Sequence, residues 1–333
     1  MKDRSALPGS GSRPSVRLAD LAQLVRAPAA LSVPGDVLAG AAAAGRPLGP
    51  RTFGVMGSSV CLYWAGMALN DYADATVDAV ERPERPVPSG RVPRRTALAV
   101  AGALTAGGLA LAAACGGRRS LLGALPLAGA VWAYDLQLKS TPAGPAAMAC
   151  ARTLNVLTGA LAAAGRGPDR TSGTGAALLR GAVPAALVGA HTYTLTVLSR
   201  HEISGAPARL PAATLAASTT TALAAALPAV RTAAAHRAGS GDGTAGVAPA
   251  TAARAAVVTA GALAYLGSYG SAQARAVRKP SGENVRRAVG AGILGLMPLQ
   301  AALTARSGAT AAAAALGVVH PLARRLARRI SPT

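Results

Sequence analysis

The sequence has 333 residues, of which 51% are hydrophobic, 14% charged and 3% aromatic, and its formal net charge is +21. The high hydrophobic share excludes an intrinsically disordered chain. Three cysteines far apart in apolar runs exclude a disulfide-stapled domain and a cysteine-ligated metal site. Soluble domains carry about 25% charged residues, so this composition predicts an all-α integral membrane protein.

Apolar stretches of about 18 to 25 residues recur along the chain, and a stretch of that length can cross a bilayer as a helix. A soluble alanine-rich bundle is the alternative, but its surface helices need a charged face, and the stretch 96–115 has no charged residue. We therefore predict a membrane bundle of about nine to ten spans. The candidate spans are 22–44, 52–70, 96–115, 120–138, 143–164, 177–198, 208–230, 255–274, 288–305 and 308–323.

The segments outside the spans predict the topology. With the amino terminus inside, the inside segments carry roughly twice as many Lys and Arg as the outside loops, which favours cytoplasmic termini. We predict an integral protein of the plasma membrane with its active site facing the cytoplasm. We predict a disordered cytoplasmic tail at 1–20, a membrane domain at 21–323 and a basic cytoplasmic tail at 324–333. Residues 237–250 are expected to form a flexible outside loop. Basic residues near the carboxyl end predict contact with membrane lipids, and no motif indicates a nucleic-acid partner.

The acidic residues are concentrated at the predicted inside end of the second span. On a helix, Asp71, Asp74 and Asp78 fall within an arc of roughly 60°. Carboxylates on one face repel one another unless a cation lies among them, and such hard oxygen ligands suit Mg²⁺. The alternative is a solvated acidic loop balanced by nearby arginines. Five of the 13 acidic residues share this segment: Asp71, Asp74, Asp78, Glu81 and Glu84.

The text Asn70-Asp-Tyr-Ala-Asp-Ala-Thr-Val-Asp78, followed by Arg85-Pro-Val-Pro-Ser-Gly-Arg91, resembles the first Asp-rich signature of the UbiA superfamily of membrane prenyltransferases. The resemblance covers most of 20–305 and implies a helical bundle with a central cavity. It further implies that Mg²⁺ bridges aspartates to an isoprenyl diphosphate. The residues implied to hold metal and diphosphate are Asn70, Asp71, Asp74 and Asp78. Three arginines either neutralise the leaving group or anchor the loop: Arg82, Arg85 and Arg91.

A second polar cluster follows the predicted fourth span. Lys139 is one of only three lysines, and Arg152 and Asn155 lie one turn apart inside an apolar run. Ionisable groups at membrane depth are usually functional or paired. The resemblance implies that Lys139 contributes to the diphosphate site, with Arg152 as the next candidate and Asn155 beside it. The alternative for Arg152 is an internal ion pair with Asp135 or Glu202.

The segment after the sixth predicted span departs from the family pattern. Typical members carry a second Asp-rich motif there, whereas this chain has the single carboxylate Glu202, flanked by Arg200 and His201. Flanking cations weaken metal binding, so we do not expect a second Mg²⁺ site, and we predict that Arg200 supplies fixed positive charge instead. The texts Leu198–Glu202 and Leu138–Pro145 look like the EboC-like branch. The predicted catalytic residues are Lys139, Arg200 and Glu202.

Two functional hypotheses follow. The first is a Mg²⁺-dependent transferase that moves an isoprenyl group from a prenyl diphosphate to an aromatic or other lipophilic acceptor within the membrane. The second is a non-catalytic membrane component that binds or helps move a lipid-phosphate or a hydrophobic secondary metabolite. The degenerate second motif distinguishes them, because typical enzymes of the superfamily keep it intact.

Overall fold

A computed structural model describes residues 16–45, 48–162, 173–239 and 249–330, and within these residues the secondary structure is helical, without strands. Two π-helical turns and one 3-10 helix join the α-helices: Tyr134–Leu138, Leu266–Gly270 and Ala27–Ser32. The α-helices are α1 Leu18–Leu24, α2 Val33–Ala43, α3 Pro50–Ala73, α4 Ala75–Glu81, α5 Arg94–Ala133, α6 Gly144–Ala162, α7 Thr174–Ser199, α8 Arg209–Gly239, α9 Pro249–Tyr265, α10 Ser271–Arg278, α11 Gly282–Arg306 and α12 Thr310–Ile330.

The helical membrane fold is confirmed, and every predicted span overlaps at least one helix of the described residues. The segments long and apolar enough to cross a membrane are Pro50–Ala73, Arg94–Leu138, Thr174–Ser199, Arg209–His236, Pro249–Arg278 and Gly282–Arg306. Two shorter apolar helices, Ala30–Ala43 and Thr310–Pro321, lie at the predicted first and tenth spans.

The prediction of one uninterrupted span at 22–44 is wrong. The chain there divides into the end of α1, a 3-10 helix and the 11-residue α2. Eleven helical residues rise only about 16 Å, roughly half of the hydrocarbon thickness of a bilayer. The division places polar backbone and charged side chains at the end of the bundle that carries the acidic segment.

The long helix α5 and the π-helical turn after it contain the third and fourth predicted spans, which fold back on each other at Gly117. Gly117 has φ 65° and ψ −159°, a combination open essentially to glycine alone. Trp132 Nε1 donates to Thr105 Oγ1 at 3.0 Å, although 27 residues of straight helix would separate these side chains by about 40 Å. The two halves therefore form a hairpin, and both halves pack on α3, through Gly108 and Val131.

Helices α2 and α6 approach each other closely through two facing glycines. A Cβ atom on Gly40 would lie 1.8 Å from the Val156 carbonyl oxygen, and one on Gly159 would lie 2.2 Å from the Val37 carbonyl oxygen. Only glycine permits backbones to come this close, as is common where membrane helices cross. This contact brings the polar side chains of α2 and α6 together in the interior.

The described residues cover only parts of the predicted tails and of the predicted outside loop. Helix α1 begins at Leu18, so the last three residues of the predicted tail 1–20 are helical, while 1–15 lie outside the described residues. At the other end α12 runs without interruption through the predicted boundary at 323/324 to Ile330. Most of the predicted loop 237–250 also lies outside the described residues, so these bounds stay predictions.

Candidate active site

The acidic segment lies where α3 passes into α4. Only Asp74 departs from the helix, with φ −87° and ψ 5°. The backbone hydrogen bonds of a helix continue across it, because the Asp74 amide donates to the Asn70 carbonyl at 2.9 Å and the Asp78 amide donates to the Asp74 carbonyl at 2.8 Å. Asp71, Asp74 and Asp78 therefore keep nearly the spacing that the sequence predicted.

Two arginines hold the first and third of these carboxylates. Asp71 is 1% exposed, and its Oδ1 atom lies 2.7 Å from Arg26 Nη2 and 3.7 Å from Arg85 Nη1. The same Arg85 Nη1 atom lies 2.5 Å from Asp78 Oδ2. Arg85 thus bridges two carboxylates that would otherwise repel each other across one face.

Lys139 pairs with the second carboxylate, and Arg200 holds the backbone turn that carries this lysine. Lys139 Nζ lies 2.6 Å from Asp74 Oδ1. The turn that carries Lys139 follows the π-helical turn at the end of the fourth predicted span, and Arg200 Nη2 donates to the carbonyls of Lys139, at 3.1 Å, and of Thr141. Arg200 is therefore placed on the backbone behind Lys139, where it fixes the position of the lysine.

Neighbouring polar side chains extend this set. Asn70 Nδ2 donates to Asp135 Oδ1 at 3.3 Å, and Arg26 Nη2 lies 3.5 Å from Asn70 Oδ1. Asp135 is the second residue of the π-helical turn and is buried, and its contact with Asn70 joins that turn to α3. Acidic, amide and basic side chains from α3, α4 and the Lys139 turn therefore lie next to one another in this site.

The donor set fits Mg²⁺ chemically, although the acids are arranged as ion pairs. Among the residues the structure describes, no three His, Cys, Asp or Glu side chains converge as a ready metal site. The ion pairs use one oxygen of each carboxylate: Oδ1 of Asp71, Oδ1 of Asp74 and Oδ2 of Asp78. Hard oxygen donors on successive turns are what Mg²⁺ takes from a protein, with water and phosphate oxygens completing its shell.

Two predicted substrate-binding arginines lie at the edge of this cluster. Arg91 Nη1 donates to Asp20 Oδ1 at 2.6 Å and to Gln23 Oε1 at 2.8 Å, and its Nη2 donates to the Glu84 carbonyl. These contacts favour the predicted anchoring role for Arg91, because they tie the loop after α4 to α1. Arg82 is exposed at the end of α4.

Glu202 lies on the turn after α7, at the same end of the bundle. Arg286 Nη2 lies 3.4 Å from the Glu202 carbonyl oxygen. Partial burial raises the pKa of the Glu202 carboxyl, and the nearby charges of Arg286 and Arg82 oppose that shift.

Arg152 and Asn155 meet a different carboxylate, Asp36 of α2, which is fully buried. Arg152 Nη1 lies 2.8 Å and Asn155 Nδ2 3.0 Å from Asp36 Oδ2, and Gln300 Nε2 lies 2.6 Å from Asp36 Oδ1. The alternative of an internal ion pair for Arg152 is therefore correct in kind. Its predicted partners, Asp135 and Glu202, are wrong.

Sequence reasoning missed two charged residues, Arg26 and Asp36. Both lie inside the stretch 22–44, which the hydrophobic pattern presents as a single span. Each is an ionisable residue in an apolar run, which is the signal that identified Arg152. The same signal applied to this stretch would have found them.

Comparison with known proteins identifies the family of this chain. The model of the UbiA prenyltransferase family matches residues 33–289. Digeranylgeranylglyceryl phosphate synthase of Methanopyrus kandleri is 40% identical over 111 residues, which cover 33% of this chain and 38% of that protein. The synthase of the same name from Ignicoccus hospitalis is 37% identical over 145 residues, covering 43% and 46%. The chain thus matches less than half of the length of these relatives.

Solved structures share the fold at low identity. A UbiA homologue from Aeropyrum pernix K1, in its apo form, superposes with a TM-score of 0.56 at 22% identity, covering 80% of this chain and 94% of that one. A homologue from Archaeoglobus fulgidus bound to GPP and Mg²⁺ gives 0.54 at 15% identity, covering 83% and 99%. The helices, the Asp-rich turn and the family match agree, and the chain belongs to the UbiA prenyltransferase family.

Proposed function

We propose that this protein is a Mg²⁺-dependent prenyltransferase that moves an isoprenyl group from a prenyl diphosphate to an aromatic or other lipophilic acceptor within the membrane. The observation that carries the proposal is the row Asp71, Asp74 and Asp78 with a basic side chain against each acid. Membrane lipids surround the apolar helices, and the charge bias favours an orientation with this end of the bundle toward the cytoplasm. The proposed location is the plasma membrane.

The basic side chains are suited to a diphosphate leaving group. Arg26, Arg85 and Lys139 already lie within ion-pair distance of the acids, so a diphosphate arriving beside them finds cations in place. Such preplaced charges stabilise charge that develops during the reaction, because little reorganisation is needed. We propose that these three side chains turn from the carboxylates to the diphosphate when a donor binds.

The predicted metal ligands are Asp71, Asp74 and Asp78, and bound Mg²⁺ supplies Lewis-acid neutralisation of the diphosphate. The bond from the allylic carbon to the diphosphate oxygen breaks, and its electron pair leaves with the diphosphate. The acceptor forms the new bond to that carbon and loses a proton. We assign Glu202 as the candidate for receiving this proton, and Arg200 as the residue that holds the Lys139 turn against the leaving group.

The likeness to the synthases of Methanopyrus kandleri and Ignicoccus hospitalis favours a lipid as the acceptor class. Those relatives are digeranylgeranylglyceryl phosphate synthases. Membership of the EboC-like branch, for which the sequence segments Leu198–Glu202 and Leu138–Pro145 argue, stays a separate prediction.

Binding of geranyl diphosphate to the purified protein in lipid nanodiscs, with Mg²⁺ and with EDTA, tests the metal and donor assignments. We expect binding with Mg²⁺ that is lost in EDTA. Asp71→Ala and Asp74→Ala should each weaken binding roughly 100-fold, which corresponds to about 3 kcal/mol. Glu283→Gln is the matched control, because its carboxylate pairs with Arg287 on the surface. Equal binding in Mg²⁺ and in EDTA would contradict the assignment.

A further inference from the structure

Arg26 reaches the Asp-rich turn from an unusual backbone conformation. Its φ is 42° and its ψ 52°, and among the described residues other than glycine it alone has a positive φ. Residues with a Cβ atom avoid this left-handed region, and they persist there where the surrounding structure holds them. The guanidinium is directed at Asp71, 2.7 Å away, so the conformation serves a contact at the proposed site.

One anchor of this turn lies downstream, where the 3-10 helix enters α2. Asp36 receives hydrogen bonds from Arg152, Asn155 and Gln300, on two different helices. Ser32, one turn before Asp36, accepts from Arg152 through its hydroxyl at 2.7 Å and from Gln300 through its carbonyl at 2.8 Å. The end of the 3-10 helix is thereby tied to α6 and α11.

A second anchor lies upstream, in α1. Leu24 is fully buried against Leu69 and Val92 in an apolar cluster. Asp20 receives a hydrogen bond from Arg91 at 2.6 Å. The left-handed turn is therefore held on both sides, and the downstream anchor consists of buried polar groups without solvent to replace them.

We infer that Asp36, with Arg152, is a positioning residue that sets the Arg26 turn so that the guanidinium faces Asp71 and the diphosphate. This inference rests on the proposed function, since it assigns a role within the same site. Asp36 touches neither donor nor acceptor in this account and acts only through Arg26. Loss of its charge leaves Arg152 buried without a counter-charge, and the tie between the 3-10 helix, α6 and α11 loosens.

A double-mutant cycle separates this role from general support of the fold. The variants are Asp36→Asn, Arg26→Ala and the two combined, and the measurement is the Kd for geranyl diphosphate with Mg²⁺ in nanodiscs. We expect Asp36→Asn to weaken binding about tenfold in the wild-type background, equivalent to about 1.4 kcal/mol. In the Arg26→Ala background the same substitution should change Kd less than twofold.

An equal tenfold loss in both backgrounds, or no loss from Arg26→Ala alone, would overturn the inference. If Asp36→Asn does not fold, Ser32→Ala removes one hydrogen bond of the same anchor, and its expected threefold loss must also vanish in the Arg26→Ala background. Glu283→Gln controls for loss of a carboxylate elsewhere. Absence of Mg²⁺-dependent binding in the wild type would instead defeat the proposed function, so the two failures are distinguishable.

Discussion

Each aspartate of the Asp-rich turn, residues 71–78, is paired with a basic side chain. A substitution of one partner therefore changes the charge that the other partner experiences. Lys139 and Asp74 form an ion pair at 2.6 Å, and both side chains are partly buried. A cation on Asp74 competes with a metal ion for the same carboxylate, yet the same cation attracts a diphosphate. Lys139 therefore has opposite effects on the two ligands.

Lys139→Met should separate these effects. Without the lysine, Mg²⁺ alone should bind roughly fivefold more tightly, since an ion pair of about 1 kcal/mol no longer competes. Geranyl diphosphate with Mg²⁺ should bind more than tenfold more weakly, because the diphosphate loses a direct counter-charge. Isothermal titration calorimetry of both ligands measures the two changes. The exposed Lys279→Met is the matched control, and weakening of both ligands would contradict the competition.

The carboxyl of Glu202 gives a pH-dependent test. Burial raises its pKa above the ordinary value of 4.5, against the charges of Arg286 and Arg82. The folded protein then holds this proton more tightly than the unfolded chain, so the contribution to stability is full at low pH and is lost as the pH rises through the raised pKa. Glu202→Gln cannot ionise. Its melting temperature should match that of the wild type near pH 4 and exceed it at pH 7, and the reverse order at pH 7 would contradict the shift.

At the scale of residues, the sequence predicts the acids better than their partners. Asp71, Asp74 and Asp78 are identifiable because they recur at helical spacing in a chain with few acids. The ion pair of Arg152 with Asp36 joins residues 116 positions apart, and no local pattern encodes a contact at that separation. The left-handed backbone at Arg26 is likewise not predictable from the local sequence, because packing on both sides of the turn imposes it.

At the scale of elements, apolar run length locates the helices, and glycine locates their reversals. Span 96–115 lies in the first half of α5, span 120–138 covers its second half and the π-helical turn that follows, and the reversal lies at Gly117 between them. The division of 22–44 was not predicted, because a short α2 leaves the same apolar pattern as one long span.

Gly117→Val tests the reversal. The φ and ψ of Gly117 are closed to a β-branched residue, so the substitution should lower the free energy of unfolding by about 1–3 kcal/mol. Gly102→Ala in the same helix is the control, because a Cβ atom there meets nothing within 4 Å, and it should be neutral or stabilising by up to about 1 kcal/mol. Reversible unfolding in bicelles measures both. Equal effects would contradict a special conformation at Gly117.

At the scale of the whole molecule, the distribution of basic residues predicts how the bundle is oriented. A reporter fused after Thr333 should be cytoplasmic, and one inserted near Gly241 should be outside, because Lys and Arg are concentrated on the side assigned to the cytoplasm. Paired phosphatase and fluorescent-protein fusions check both positions. An external carboxyl terminus would show that one of the last three predicted spans does not cross the membrane.

The central claim is that the Asp-rich turn and its cations support prenyl transfer, and diphosphate release tests it most directly. The assay uses purified protein in lipid, several prenyl diphosphate donors, and aromatic and lipid acceptors, with Mg²⁺ present. The account predicts Mg²⁺-dependent, acceptor-dependent release that Asp71→Ala abolishes and Arg200→Ala lowers at least 100-fold, while Glu283→Gln leaves it unchanged. Confirmed donor binding with no release across every donor and acceptor would contradict transfer and favour a non-catalytic binder of lipid-phosphate or a hydrophobic metabolite.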